Sequence, residues 1–355
     1  MAMRASEVTQ AVTATAAGIA LLYFLRPIIL PLVLALVLAV LVSAVERHVG
    51  RRSPGAPAWA TVLVSALLVL LCAVVAAIVT VQGAAQMVRQ APALFNRIEE
   101  IVQGIGRSLG LRETIHVTTL TGSIDVPELA GQFLGSVGDI MSGMVLMITY
   151  FIFILAGRKH VKDKLANLSE PPERATRIEA ALGRISRDIQ TYLWVQTITG
   201  LMAAAAAGAV MFAVGLDNAL FWTILLFFLS FIPILGITVG SVVPALFALL
   251  QFPTWWQAAA IFGVIQVAAF VIGNLIYPRM QAETQNIDPV ATLLSLAFWG
   301  FLWGVTGAFL AVPMTLIVMM TCSHFPKTRW VAVLLSNDGK IVEPGEPGRA
   351  AGSVR

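Results

Sequence analysis

Residues 231–244 read Phe231-Ile-Pro233-Ile-Leu-Gly236-Ile-Thr-Val-Gly240-Ser-Val-Val-Pro244, and they interrupt an apolar stretch running from 219 to 251. As one straight helix that stretch would be about 50 Å long, against a hydrocarbon core of roughly 30 Å. Proline removes a backbone donor and clashes with the preceding turn, while glycine permits turns and close approach. A second stretch, 290–322, is broken in matching places: Phe298-Trp-Gly300-Phe-Leu-Trp-Gly304-Val-Thr-Gly307-Ala-Phe-Leu-Ala-Val-Pro313. Arms of about 15 residues reach only to the middle of a bilayer, so each stretch predicts a helical hairpin or a discontinuous helix. Both alternatives bring the tail back to the same side, so counting crossings does not separate them.

The chain around these breaks is poor in charge. Hydrophobic residues make up 58% of the 355 and charged residues 12%, half or less of the roughly 25% usual for a soluble domain. That excludes a soluble enzyme, a disordered regulator and a nucleic-acid binder. Val8–Leu25, Pro27–Val45, Ser53–Val88 and Ile140–Gly157 contain no Asp, Glu, Lys or Arg, and Tyr192–Pro278 contains only Asp217. These lengths predict spans near 8–25, 27–45, 58–82, 138–157, 191–214 and 256–277. Helix is the expected state, because barrel strands would show short segments of alternating polarity. The fold class expected is all-α: a polytopic membrane protein with about six full spans and two broken or re-entrant helical hairpins, arranged like inverted repeats.

The connecting segments set the orientation. Residues 46–57 hold Arg47, Arg51 and Arg52 against Glu46, and residues 158–190 are also basic, as is the tail from Ser323. Residues 89–139 are on balance acidic. Basic residues concentrate in cytoplasmic segments, so 46–57, 158–190 and the tail are expected inside, 89–139 outside, and both termini in the cytoplasm. The net charge of +4 thus follows from topology and needs no nucleic acid. The division expected is a three-span region 1–88, an extracytoplasmic amphipathic segment 89–137, a span with a basic linker 138–190, a transport core 191–326 and a tail 327–355. Within the second, Leu94, Ile98, Ile101, Val102, Ile105 and Leu109 recur at helical spacing. The Pro/Gly-rich run from Glu343 to Arg355 reads as disordered.

Paired Gly/Pro-interrupted segments in corresponding halves are the best sequence-level pointer to a transporter's substrate site, since freed amides and carbonyls become ligands where they line a cavity. The plainer reading is kinking or close helix packing. Polar residues within spans add candidates. Gln190, Gln196, Thr197 and Thr199 lie near one face, and Gln266 and Asn274, eight apart, share another. Either they contact a hydroxylated solute or they hydrogen-bond neighbouring helices. The expected pathway residues are Gln196, Pro233, Gly236, Gly240, Pro244, Gln266, Asn274, Pro278, Gly300, Gly304, Gly307 and Pro313. Asp217, Arg279 and Asp288 are candidates for a gate or ion coupling. Against that, Gly215-Leu-Asp217-Asn218 reads as a turn, and 279–288 as an ordinary connection. No Gly-x4-Gly-Lys-Ser/Thr motif appears, Cys72 and Cys322 lie far apart without metal-type spacing, and the histidines form no cluster. No cofactor, metal or catalytic residue is expected.

Pro233-x-x-Gly236, Pro244, Asn274-x-x-x-Pro278, Pro289 and Trp299-Gly-x-x-Trp-Gly304-x-x-Gly307-x5-Pro313 resemble the autoinducer-2 exporter family of bacteria. The resemblance runs from the first spans to about Lys327 and is most specific over 190–315. It implies a multi-span inner-membrane protein moving small polar solutes outward, and some members are described as sodium/proton antiporters. The functions in view are a secondary exporter of a small polar solute, a cation/proton antiporter of the same fold, and a membrane scaffold docking through 89–139 or 158–190. The partners expected are a small polar solute, a proton or sodium ion, the lipid bilayer and further copies in a homo-oligomer.

Overall fold

A computed structural model describes residues 5–52, 57–108, 126–158, 172–233, 235–281, 287–324 and 328–339. Their regular elements are all helical: α1 (Ala5–Phe24), α2 (Arg26–Arg52), α3 (Ala58–Ser108), α4 (Val126–Gly157), α5 (Pro172–Val214), α6 (Ala219–Leu229), α7 (Leu235–Gln251), α8 (Trp256–Val271), a π turn (Ile272–Ile276), α9 (Tyr277–Gln281), α10 (Pro289–His324) and α11 (Arg329–Leu335). By length and composition, five helical stretches could cross a membrane: Arg26–Arg47, Trp59–Gln103, Ile185–Val214, Trp256–Met280 and Pro289–Ser323. The last of these does not run straight, as its contacts below establish. The basic linker at 159–171, the tip of the outer segment at 109–125, the loop at 282–286 and the tail from 340 lie outside the described residues.

Two compact units divide the chain, neither contiguous in sequence. One comprises Val49–Leu146 and Val195–Met280, and its core joins Met211 of α5, Trp222 and Leu226 of α6, Phe247 of α7 and Ile261 and Ile265 of α8. Small residues let these helices approach. Gly200, Ala204 and Gly208 form an i, i+4, i+8 ridge on α5 facing α6. A Cβ on Gly200 would lie 2.4 Å from Ser230 Oγ, and one on Gly208 3.0 Å from Thr223 Oγ1. On the α3 side, a Cβ on Gly83 would lie 2.4 Å from Phe221 Cβ. Further along α3, Met87 and Leu94 pack against the same core and Gln90 meets the Asn218 amide at 3.5 Å. The second half of this very long helix is therefore anchored at its start by the base of α6 and α7.

The other unit comprises Met1–His48, Met147–Trp194 and Gln281–Arg355. Here α2 supplies the span expected at 27–45, as Arg26–Arg47, while α1, expected to span at 8–25, is apolar over the shorter Val12–Phe24 and joins α2 without a loop. Helical hydrogen bonds carry through the junction, from Leu25 N–H to Leu21 O at 2.9 Å and from Ile29 N–H to Leu25 O at 2.9 Å. A reversal between packed helices needs a connection of about two residues or more, and one residue separates these two. The junction is a break without a loop: Pro27 has no hydrogen for the Tyr23 carbonyl, and the adjacent Leu22 carbonyl instead accepts the Trp303 indole N–H at 3.0 Å. At the far end of α2, Glu46 meets Arg158 at 3.0 Å, an exposed pair contributing at most about 1 kcal/mol.

Candidate functional site

Both broken stretches reverse direction. In the first, α6 ends at Leu229 and the chain turns from Ser230 onward, with Ile232 N–H on Leu229 O at 2.8 Å and Gly236 N–H on Ile232 O at 2.9 Å. The return arm α7 then packs antiparallel. Gly236 faces Leu229, Gly240 faces Leu226, and the Trp222 and Phe247 rings meet at 5.5 Å. Glycine is required at the turn, because a Cβ on Gly236 would stand 1.9 Å from the Leu229 carbonyl oxygen. One turn further on, Gly240 would place a Cβ 3.0 Å from Leu226 Cγ. Pro233 sits in the reversal, half-buried, and Pro244 is fully buried in α7, where it withholds a donor from the Gly240 carbonyl.

In the second, α10 holds Gly304 at φ 65°, ψ −145°, which breaks the helical path. A straight helix would separate Ser295 from Ala311 by about 24 Å, yet Ser295 Oγ donates to the Ala311 carbonyl at 3.0 Å. The Thr315 hydroxyl donates to that same carbonyl at 2.8 Å and also contacts the Ser295 hydroxyl. Near the tip, a Cβ on Gly307 would lie 1.9 Å from the Trp299 carbonyl oxygen, while one on Gly300 would make an ordinary 3.8 Å contact with Ala308. The arms are thus 289–303 and 305–324, about 22 and 30 Å long. The two reversals share a construction. In each, a glycine just beyond the turn lies against a carbonyl of the outgoing arm (Gly236 on Leu229, Gly307 on Trp299), and a buried proline follows (Pro244, Pro313).

Gln196 is brought to the first reversal: its Nε2 donates to the Ser230 carbonyl at 2.5 Å. That carbonyl ends α6, where orphan acceptors need partners, so one role of the side chain is to hold the turn. Gln266 and Asn274 are both exposed on the helix running from α8 into the π turn. Asn274 lies inside the π turn, with its Nδ2 on the Phe270 carbonyl at 2.9 Å and the Tyr277 N–H bonded five residues back to Ile272 O. The cause is Pro278, which can donate to neither the Gly273 nor the Asn274 carbonyl. Single π turns inside α-helices recur at functional sites. The sequence carried the signal, since Asn274 stands four residues before a proline, but the π register was not anticipated. Gln196, Asn274 and the first hairpin belong to one compact unit, and Asp288 and the second hairpin to the other.

Two of the three charged candidates, Asp217 and Asp288, have local structural roles. Asp217 is exposed in a turn clasped by Gln251, whose Oε1 accepts the Asp217 N–H at 2.8 Å and whose Nε2 donates to Gly215 O at 3.0 Å. Asn218 follows at φ 55°, a left-handed position that Asn tolerates. Asp288 caps α10: its Oδ1 accepts from Val290 N–H at 2.8 Å and Ala291 N–H at 3.1 Å, with Pro289 as the first helical residue. Arg279 is exposed in the last turn of α9. A small cavity of about 30 Å³ lies between the arms of the first hairpin, lined by Trp222, Leu226, Val239, Gly240 and Pro244 among others. Among the described residues Trp222 Nε1 is buried without an acceptor. No group of three His, Cys, Asp or Glu side chains suited to a metal ion occurs among the described residues.

Long apolar helices with two broken segments define a multi-pass membrane protein of transporter type. The model of the AI-2E family transporters matches residues 13–327, and the chain belongs to that family. It is 26% identical over 244 residues to the AI-2 transport protein TqsA of Escherichia coli K12, covering 68% of this chain and 69% of that protein. To a Haemophilus influenzae protein named "Putative transport protein" it is 26% identical over 249 residues, 69% and 71% of the two chains. To "Putative permease PerM" of Escherichia coli K12 it is 24% identical over 288 residues, 76% and 79%.

Proposed function

We propose that the protein is a secondary transporter that exports a small polar solute, of the autoinducer-2 kind, across the bacterial inner membrane. The observation that carries this reading is the pair of hairpins built on one plan. Both have arms too short, or barely long enough, to cross about 30 Å, and both turn on glycines pressed against backbone carbonyls. We read hairpins of this kind as re-entrant elements, each reaching only part-way into the membrane. Around the first hairpin the amide of Asn274 and the carbonyls released by Pro244 and Pro278 supply neutral donors and acceptors suited to hydroxyl groups, and around the second the carbonyl released by Pro313 supplies a further acceptor. The TqsA name points to the same solute class. The basic segments 46–57, 158–190 and the tail face the cytoplasm.

Purified protein in liposomes is expected to release a trapped small hydroxylated solute down its gradient, without nucleotide. Asn274→Ala is expected to abolish that release while inserting and melting as the parent does. Solute retention by liposomes containing correctly folded parent protein, across a panel of such solutes, would sink the proposal. A cation/proton antiporter would need a carboxylate placed to bind the ion; Asp288 uses its Oδ1 to cap α10, and Asp217 lies exposed in a turn.

A further inference from the structure

The segment expected as a tail from 327 contains α11, a seven-residue helix Arg329-Trp-Val-Ala-Val-Leu-Leu335 that is apolar on both faces. One face is used: Ala332 is fully buried, Val331 and Leu335 are half-buried, and the helix packs along α10. The other face presents Trp330, Val333 and Leu334, spaced i, i+3, i+4, at 65%, 41% and 69% exposure. Chain reach restricts where this bare face lies. The helix begins five residues after His324 ends α10, and Thr328 Oγ1 still bonds the Cys322 carbonyl at 3.1 Å. So α11 sits at the mouth of a membrane-embedded element, at the level of the lipid headgroups. Lys327 and Arg329 stand at its start, and Trp is the side chain most suited to that layer.

We infer that α11 is an interfacial lipid anchor, with Trp330, Val333 and Leu334 set in the headgroup–acyl boundary and the basic sequence at its start favouring an anionic membrane surface. The anchor acts on the second hairpin through the backbone. Asp288 N–H donates to the Leu335 carbonyl at 3.0 Å, and Ile287 pairs with Ser336 in an antiparallel bridge. The residue that caps the outgoing arm is thereby tied to the helix that follows the return arm. The base of the hairpin is held at the membrane surface, while the tip beside Gly304 is held separately, through the Trp303 indole on the Leu22 carbonyl. This inference rests on the membrane-protein class alone and stands whatever solute is carried.

The test places a spin label at Leu334→Cys, or at Asp338→Cys as the exposed comparison, in full-length protein carrying Cys72→Ser and Cys322→Ser. The protein is reconstituted in phosphatidylethanolamine/phosphatidylglycerol vesicles. The label at 334 is expected to be relaxed more by oxygen than by a water-soluble nickel chelate, and the label at 338 the reverse. Adding Lys327→Glu and Arg329→Glu should shift 334 toward the value at 338, and replacing phosphatidylglycerol by phosphatidylcholine should do the same to a smaller extent. A label at 334 as open to nickel as that at 338 overturns the anchor. So does one shielded from both reagents, which would mean that protein, such as a second copy, covers the face. An oxygen preference unmoved by charge reversal overturns the electrostatic part of the anchor.

Discussion

A methyl group on Gly304 would meet nothing within 4 Å, yet the residue's φ of 65° and ψ of −145° belong to a region that only glycine occupies readily. The constraint there is conformational, whereas at Gly236 and Gly307 it is steric. Gly304→Ala is therefore expected to destabilise the protein by about 1–3 kcal/mol, lowering its melting temperature in detergent. Gly300→Ala, facing an ordinary 3.8 Å contact, should melt as the parent does. Asp288 separates charge from hydrogen bonding. Its Oδ1 caps α10, so Asp288→Ala should cost about 1 kcal/mol while Asp288→Ser, a good cap without charge, should be nearly neutral in both melting and flux. Loss of flux in a stable Asp288→Ser would instead point to ion coupling. At this scale the sequence was only partly legible. The glycines and prolines announced the breaks because each lacks a Cβ or a donor. The partner of Gln196 could not be read, because Ser230 lies 34 residues away and meets it only once α6 has docked on the small-residue ridge of α5.

Length and hydropathy show that a stretch such as α10 is too long for one straight span but not how it is broken: its 36 residues fold back at one glycine. The choice between hairpin and traverse stayed open in the sequence because both give the same tail placement. Contacts across the arms decide it, and they can be tested without a structure. Ser295→Cys with Thr315→Cys, in protein free of Cys72 and Cys322, should form an intramolecular disulfide under mild oxidation and lose both maleimide-reactive thiols. On a straight helix the two positions would lie about 30 Å apart and both thiols would remain. The opposite lesson comes from α1 and α2, where Arg26 divides two charge-free stretches and the hydrogen bonds run on. A proline marks a lost donor, and whether the chain turns there depends on how many residues are available for a loop.

The whole molecule sorts its elements in a way no linear division could anticipate, because each compact unit draws on separated stretches of chain and each owns one hairpin. Sequence reasoning named the membrane class and the two broken stretches from charge and punctuation, both local properties. Which stretches pack together is a property of long-range contacts and left no local trace. Sidedness is testable at this scale. With Ser53→Cys or Thr121→Cys as the only cysteine, an impermeant maleimide should label Thr121→Cys in spheroplasts and Ser53→Cys only after permeabilisation, as the basic and acidic segments require.

The position of the first hairpin also dictates an order of assembly. Its arms are apolar but short, and the carbonyls at its tip find partners on other elements, Gln196 of α5 among them. Gly83 of α3 and Gly200 and Gly208 of α5, which receive the hairpin, leave the ribosome before it does. A nascent chain can thus prepare the seat before the hairpin that occupies it is made. Filling that seat with bulk at Gly83 or Gly208 would strand two half-length helices in lipid with their tip unsatisfied. Such variants should fail during biogenesis, as material for membrane quality-control proteases, and leave no folded but inactive transporter to purify.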